Sequence, residues 1–501
     1  MRYSVAVALL IGPLLLWSCA DATPHQADAP YQDVNDLGGE VGPEVTDIQE
    51  VPPQDVAPDA LPDSSDGVDV PVEVSPDVVD VADVPPAELS DVVTDLPPDV
   101  VEPWPLPTYL TLKGTDDEAR HGWDSVETWG DSRDFFKEED YLESGRNDHD
   151  SETEAHFGSA RPPAGDFLLH YGPDWDQPSP YPPVLLITGA NTNANQAWAA
   201  PDLINYCGSP LFCPSTGLLQ HLHAEGFRVF AITFPHMHGD NRYWAQQIGD
   251  ALDIIRHRTG APAVDVVAWS KGGFAARLYA AGIVPPGPGT SPYGDQVGKL
   301  ILLGAPNGGL DYTFRYGILP SMGIYPVCGG IANAPSPHTM MTCYFVQYTR
   351  KDLSIYETEE GDFFPGQKQM LARWDDLYPV STVNQDYHTT YHGGNGFVSS
   401  SLGIDFAMAQ GSLVAAMQAK NTPPQLPIYL LCGGAQDIAY VLNETAGPSD
   451  GLVLQDSCTL QTGLSQVRET VVDEGVNHFG LPWASTTMAQ ITEWLQEIPP
   501  N

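Results

Sequence analysis

The sequence predicts an α/β fold, a mostly parallel sheet with helices on both faces, preceded by a long disordered acidic segment. Short apolar runs of strand length alternate with stretches whose apolar residues recur at helical spacing. Strands that alternate with helices form βα units and parallel strand pairs. The segment before them is rich in Asp, Pro and Val and nearly lacks aromatic residues, a composition that cannot bury a core.

The first element, residues 1–18, has the pattern of an export signal. One Arg precedes an apolar run that is too short for a membrane-spanning helix. Leu16-Trp17-Ser18-Cys19 resembles the lipobox of bacterial lipoproteins, whose Cys is acylated. This resemblance implies a lipoprotein exported to the bacterial outer membrane or cell surface and anchored in the membrane through Cys19. An ordinary secretory signal with an incidental Cys is the alternative.

The second element, residues 19–105, is predicted to be a disordered linker. It contains 22 Asp and Glu but no Lys or Arg, and Pro recurs every few residues. Like charges and Pro favour an extended chain, and the carboxylates are too scattered for a cation-binding loop. The net charge of −45 excludes nucleic acid as a partner, because nothing would neutralise its phosphates. An acidic chain is also not attracted to an anionic membrane, so the lipid on Cys19 would have to provide the attachment.

The cysteines indicate an oxidising compartment. Cys19 apart, six of the seven Cys remain, and an even number in an exported chain predicts disulfides. No CxxC or Cys/His spacing favours zinc. Six Cys allow 15 connectivities, and pairing of nearest neighbours is our hypothesis: Cys207 with Cys213, Cys328 with Cys343, and Cys432 with Cys458.

Residues 106–501 are predicted to form the globular domain. The strand-like runs are Val184–Thr188, Phe227–Phe234, Val264–Ala268, Leu300–Leu303, Pro427–Cys432 and Val467–Val472. Helical spacing joins the apolar residues Trp244, Ile248, Leu252 and Ile255, then Phe274, Leu278 and Tyr279, and finally Met488, Ile491 and Leu495. The alternation stops over about 307–426, which is too long for a connecting loop and predicts an insertion or cap.

Ser270 lies in Ala268-Trp269-Ser270-Lys271-Gly272, between a predicted strand and a predicted helix. This arrangement resembles the nucleophile elbow of the α/β-hydrolases, G-x-S-x-G, with Ala268 in place of the first Gly. A nucleophile on a tight turn needs small residues around it. The resemblance implies the α/β-hydrolase fold and Ser270 as the nucleophile. A structural Ser at a helix start is the alternative.

An oxyanion hole would need amides near that serine. Thr188-Gly189-Ala190-Asn191 resembles the "HG" loop of bacterial lipases, with Thr188 replacing the His. The resemblance implies that the backbone N–H groups of Lys271 and Ala190 are the donors, with Asn191 as the alternative to Ala190.

The base and the acid are expected after the later strands, in the chain order Ser, acid, His. His478, in an Asn-His-Phe-Gly-Leu segment that resembles the catalytic-His loop of lipases, follows the last predicted strand. Asp450, in a Ser-Asp-Gly-Leu-Val segment resembling the acid-bearing segment of bacterial lipases, is the favoured acid. Asp437 lies closer to the preceding strand and is the alternative.

Together these resemblances imply a secreted, lipid-anchored serine hydrolase of carboxylic esters, lipase- or esterase-like, with a small-molecule or lipid ester as its substrate and no cofactor. No metal site is predicted: we interpret residues 147–156 as a solvated loop and doubt that His388 and His392 share a helix. The alternatives are a non-catalytic surface binding or adhesion lipoprotein on a hydrolase scaffold, and a peptidase or acyltransferase with the same triad.

Overall fold

The computed structural model describes residues 104–497, except 118–119, 143–147, 204–212, 288, 316–354, 381, 383–384, 396–399 and 439–446. The predicted signal peptide and residues 19–103 of the predicted linker, with Cys19, therefore lie outside the described residues, as do Cys207, Cys328 and Cys343. In the part of the chain that is described, no helix combines the length and the apolar character needed to span a membrane.

A nine-stranded sheet forms the centre of the described domain. Its strands in chain order are β1 (Leu110–Asp116), β2 (Ser125–Asp131), β3 (Asp166–Tyr171), β4 (Val184–Ile187), β5 (Val229–Thr233), β6 (Val264–Trp269), β7 (Val297–Leu303), β10 (Ile428–Gly433) and β11 (Val467–Asp473). Two short strands, β8 (Gly394–Asn395) and β9 (Ser400–Ser401), pair separately.

The strand order is β1-β2-β3-β5-β4-β6-β7-β10-β11. The first three strands pair antiparallel, and β3 is antiparallel to β5. From β5 to β11 every neighbouring pair is parallel. This order, with β4 and β5 exchanged, is that of the α/β-hydrolase fold, so the predicted fold class is confirmed.

Helices lie on both faces of this sheet. In chain order they are α1 (Ser151–Phe157), α2 (Leu218–Ala224), α3 (Asn241–Thr259), α4 (Lys271–Ala280), α5 (Tyr312–Arg315), α6 (Pro365–Gln369), α7 (Gln385–His392), α8 (Ile404–Ala409), α9 (Val414–Gln418), α10 (Gln455–Cys458) and α11 (Ser485–Gln496). The apolar residues of α3 and α4 form one buried cluster with the sheet. Those of α2 and α11 form another with alternate residues of the same strands, because successive strand side chains point to opposite faces.

The six predicted strands are all present, but two predicted irregular segments contain helices. Residues 151–157 form α1, whose first turn is capped by the Asp150 carboxylate accepting from the N–H of Thr153 at 2.9 Å. His388 and His392 do share a helix, α7, which ends immediately before Gly393. A side-chain cap and a terminal Gly are sufficient to delimit such short helices.

One predicted disulfide is present, between Cys432 and Cys458, with a Cα–Cα distance of 6.0 Å. Cys213 is also disulfide-bonded, and its predicted partner, Cys207, lies outside the described residues.

Candidate active site

Ser270 occupies the sharp turn between β6 and α4 in a strained backbone conformation. Its φ and ψ angles are 57° and −124°, a region that residues with a side chain rarely adopt. Its N–H donates to the carbonyl of Leu303 at 2.8 Å, which fixes the turn against β7. The hydroxyl makes no capping hydrogen bond to α4. The alternative role of Ser270, a structural serine that caps the helix, therefore does not explain the position of its side chain.

The small residues that follow Ser270 allow three segments to approach closely. A Cβ on Gly272 would lie 2.3 Å from the carbonyl oxygen of Thr188, and one on Gly273 would lie 2.7 Å from Cβ of Ala305. Real Cβ atoms do not approach other atoms so closely, so both positions need glycine. The elbow thereby packs against the loops that follow β4 and β7.

His478 lies in the loop after β11 and reaches Ser270 across 208 positions of sequence. Its Nε2 is 2.9 Å from the Ser270 hydroxyl oxygen, and its Nδ1 is 2.7 Å from a carboxylate oxygen of Asp450. The His478 side chain is buried. Because the carboxylate can only accept, Nδ1 carries the proton and donates it, which leaves Nε2 to accept from the hydroxyl.

Asp450 lies in the loop between β10 and α10 and is also buried. One of its carboxylate oxygens accepts from the N–H groups of Leu452 and Val453 at 3.0 and 2.8 Å. The other accepts from His478. Three donors thus replace the water that a buried carboxylate loses.

Asp437, the alternative acid, does not bond to the imidazole. Its carboxylate accepts from the side-chain amide of Asn477 at 2.7 Å. It therefore lies beside the loop that carries His478 and contacts the residue before it. The structure brings Ser270, His478 and Asp450 into one hydrogen-bonded chain and places Asp437 outside it.

The predicted oxyanion loop also lies against Ser270. A Cβ on Gly189 would lie 3.2 Å from Cβ of Ser270. The N–H of Asn191 donates to the carbonyl of Met237 at 3.4 Å, whereas the N–H groups of Ala190 and Lys271 donate to no acceptor among the described residues. Lys271 is the first residue of α4, where helix N–H groups lack an intrahelical partner. The geometry thus favours Ala190 over Asn191 as the second donor.

Two residues that contact the His478 loop have no assigned role from sequence reasoning. The indole of Trp269 donates to the carbonyl of His478 at 3.1 Å. Gly304 has φ 53°, and a Cβ there would lie 3.1 Å from the His478 ring. A Trp inside the elbow and a Gly directly after a buried strand are the signals that could have indicated them.

In the described ranges, no group of three or more His, Cys, Asp or Glu side chains is placed to hold a metal ion.

No protein-family model and no curated protein matches the sequence. Among solved structures, the chain is similar to a Bacillus licheniformis lipase in its mature form, at 14% identity and TM-score 0.37, covering 65% of this chain and 97% of that one. It is similar to a gene product of Listeria innocua at 14% identity and TM-score 0.31, covering 64% and 96%. It is also similar to an epoxide hydrolase from Vigna radiata at 14% identity and TM-score 0.31, covering 66% and 95%. The fold assignment rests on the strand order of the sheet and not on these likenesses.

Proposed function

We propose that this chain is a serine hydrolase of carboxylic esters in which Ser270, His478 and Asp450 form the catalytic triad. The observation that carries the proposal is the chain of hydrogen bonds from the Ser270 hydroxyl through the buried His478 imidazole to the buried Asp450 carboxylate. Nucleophile, orienting acid and base follow β6, β10 and β11 of the parallel part of the sheet, in the chain order that this fold uses.

In the acylation step, the Ser270 oxygen attacks the ester carbonyl carbon while Nε2 of His478 accepts the hydroxyl proton. The carbonyl π electrons move to oxygen and form a tetrahedral oxyanion. When this intermediate collapses, the bond to the alkoxy oxygen breaks and His478 returns the proton to the departing alcohol. Asp450 keeps the proton on Nδ1 and stabilises the imidazolium without taking the proton itself.

In the deacylation step, water replaces the alcohol. His478 accepts a proton from the water as its oxygen attacks the acyl carbon. The ester bond to Ser270 then breaks, the serine regains a proton from His478, and the carboxylic acid leaves. The sum of both steps is the hydrolysis of one ester.

The oxyanion would be held by the N–H groups of Lys271 and Ala190. Lys271 begins α4, and the amino end of a helix carries partial positive charge. Fixed donors of this kind stabilise the tetrahedral state more than the planar ester, which is what accelerates the reaction.

The test is Ser270→Ala with Ser132→Ala, an exposed serine, as its matched control. We expect the first variant to lose turnover of p-nitrophenyl esters and labelling by a fluorophosphonate probe while its circular dichroism stays that of the wild type. Ser132→Ala should keep both activities. Wild-type turnover in Ser270→Ala would refute the role of Ser270, and an inert wild type would favour a non-catalytic binding protein.

We also propose that the hydrolase is secreted and anchored through acylated Cys19. The support is the lipobox-like sequence alone. Expression of the full chain in a bacterium with radiolabelled palmitate should give a labelled protein in the membrane fraction, and Cys19→Ser should remove the label. Equal labelling of both proteins would contradict the anchor.

A further inference from the structure

Lys271 follows the proposed nucleophile, and its side chain is fully buried. Its Nζ has no hydrogen-bond partner in the described part of the chain, and it lies 2.9 Å from the centroid of the Trp244 ring. Burial of an amine without a hydrogen bond costs free energy. A position that only needed to fill space would be better occupied by an apolar side chain.

Two separate segments contact this side chain, and a third is joined to the loop before α3 through Asp240. Trp244 belongs to α3. Gly366 belongs to α6, and a Cβ there would lie 2.3 Å from Cε of Lys271. Glu139 precedes β3 and accepts from the N–H of Asp240 at 2.7 Å. The lysine stem is thus held between α3 and α6, beside the loop that leads into α3.

The charges around Lys271 come from both carboxylates and imidazoles. The Glu139 and Asp240 carboxylates raise the pKa of Lys271, while burial, the larger effect, lowers it well below its usual value. Burial also raises the pKa of Glu139 to about 8. Burial lowers the pKa of His236 to about 3 and that of His238 well below its usual value. The Glu139 and Asp240 carboxylates are therefore the groups that favour the protonated amine.

The segments that surround the Lys271 side chain also contact the residues on both sides of the proposed oxyanion site. One donor is the N–H of Lys271 itself, which belongs to the peptide that joins Ser270 to Lys271. In the loop before α3, the carbonyl of Met237 accepts from the N–H of Asn191. This hydrogen bond fixes the position of Asn191, the residue that follows Ala190. That loop is also joined to α6, because the N–H of Gly366 donates to the carbonyl of His238 at 2.9 Å.

We propose that Lys271 is a positioning residue whose buried side chain, held between Trp244 and α6, fixes the direction of its own N–H toward the oxyanion. This inference rests on the proposed function. It gives the lysine two roles, one through its backbone as a donor and one through its side chain as the anchor of that donor. Because α6 contacts the Lys271 side chain, the position of α6 should affect the stabilisation of the transition state and not the binding of substrate.

The first test is Lys271→Met, which keeps an apolar stem and removes the amine. Since neither Glu139 nor Asp240 attracts a thioether, we expect kcat per fluorophosphonate-titrated site to fall about 10- to 100-fold, as small misplacements at reacting centres do. KM should stay within about twofold of the wild type, because the oxyanion forms only after binding. The melting temperature should rise, because an unpaired buried amine is gone.

Lys299→Met is the matched control, since Lys299 is also a buried lysine. Its Nζ donates to the carbonyl of Leu495 at 2.6 Å and lies 3.5 Å from the Asp265 carboxylate. Its removal leaves Asp265 without its buried partner. We expect the opposite pattern from this variant: a lower melting temperature and an unchanged kcat per titrated site.

A second variant keeps the inference testable if Lys271→Met does not fold. Glu139→Gln keeps an oxygen acceptor for the N–H of Asp240 and, above the Glu139 pKa of about 8, removes the charge that attracts Lys271. It should lower kcat in the wild-type background and have no further effect in Lys271→Met, which a double-mutant cycle measures. Glu138→Gln, its exposed neighbour, should change nothing.

Affinity for a trifluoromethyl ketone, which forms a tetrahedral adduct with an active-site serine, supplies a readout independent of turnover. It should weaken in Lys271→Met by the same factor as kcat/KM. A kcat within twofold of the wild type, a rise in KM alone, or an equal effect of Glu139→Gln in both backgrounds would overturn the positioning role. Undiminished hydrolysis by Ser270→Ala would instead overturn the proposed function.

Discussion

The Asp450 carboxylate is buried, and the donors that take the place of water around it also orient it. Two backbone N–H groups hold one carboxylate oxygen and so direct the other at His478. Gly433 makes room for this arrangement, because a Cβ there would lie 2.8 Å from Cβ of Asp450. The direction of the acid is thus set by its own loop and by the end of β10.

Replacement of each candidate acid by Asn separates their roles. In Asp450→Asn the amide can donate to Nδ1 of His478, which moves the ring proton to Nε2 and removes the acceptor for Ser270. We expect kcat to fall by up to about 10⁴-fold. Asp437→Asn is the matched control and should stay within a few-fold of the wild type, since it loses only a contact with Asn477. A large loss at Asp437 alone would assign the acid role there.

At the residue level, the sequence indicated which side chains come together at the site better than it indicated the hydrogen bonds that position them. Ser270 and His478 could be predicted because each follows an apolar strand in a set chain order. The preference for Asp450 over Asp437 rested only on the resemblance of its segment to the acid-bearing segment of bacterial lipases, because which loop bends back to the imidazole is not visible in the strand pattern. The Trp inside the elbow was visible in the sequence, but its hydrogen bond to the His478 carbonyl was not, because it joins the end of β6 to a loop distant in sequence.

At the level of elements, the buried parallel strands were predictable and the antiparallel ones were not. All residues of β6 and β10 are buried, and such strands read as apolar runs. In β1 only Leu110 is buried, so its sequence carries no apolar run. β3 is buried throughout but contains Asp166 and His170, whose polarity interrupts the pattern.

The disulfide is an element-level feature with a testable energetic role. Cys432 and Cys458 close a loop of 26 residues that contains Asp450. Chain entropy predicts that the double variant Cys432→Ser/Cys458→Ser loses about 3 kcal/mol of stability. Because the N–H groups of Leu452 and Val453 still hold the carboxylate, kcat per titrated site should stay within a few-fold of the wild type. Urea unfolding and active-site titration measure the two effects, and an unstable, fully inactive protein would show that the bridge also orients the acid.

For the whole molecule, buried neutral histidines predict a loss of stability in acid. Burial lowers the pKa of His170 to about 3, whereas an unfolded histidine titrates near 6.5. Between these values the unfolded chain binds a proton that the folded chain does not, so stability falls as the pH falls through this window. His170→Asn should reduce the slope of unfolding free energy against pH there by about 1.4 kcal/mol per pH unit. Urea unfolding at several pH values tests this; an unchanged slope would mean that His170 is already protonated in the folded protein.

The distance in sequence between Ser270 and His478 also determines when the site can exist. A ribosome adds Ser270 long before β11 and the loop that carries the base, and domains fold as their chains are completed. Until that loop has emerged and paired with the rest of the sheet, the serine has no proton acceptor. On the proposed function, the growing chain therefore does not hydrolyse the esters of the cell that makes it. No separate inhibitor is required during synthesis.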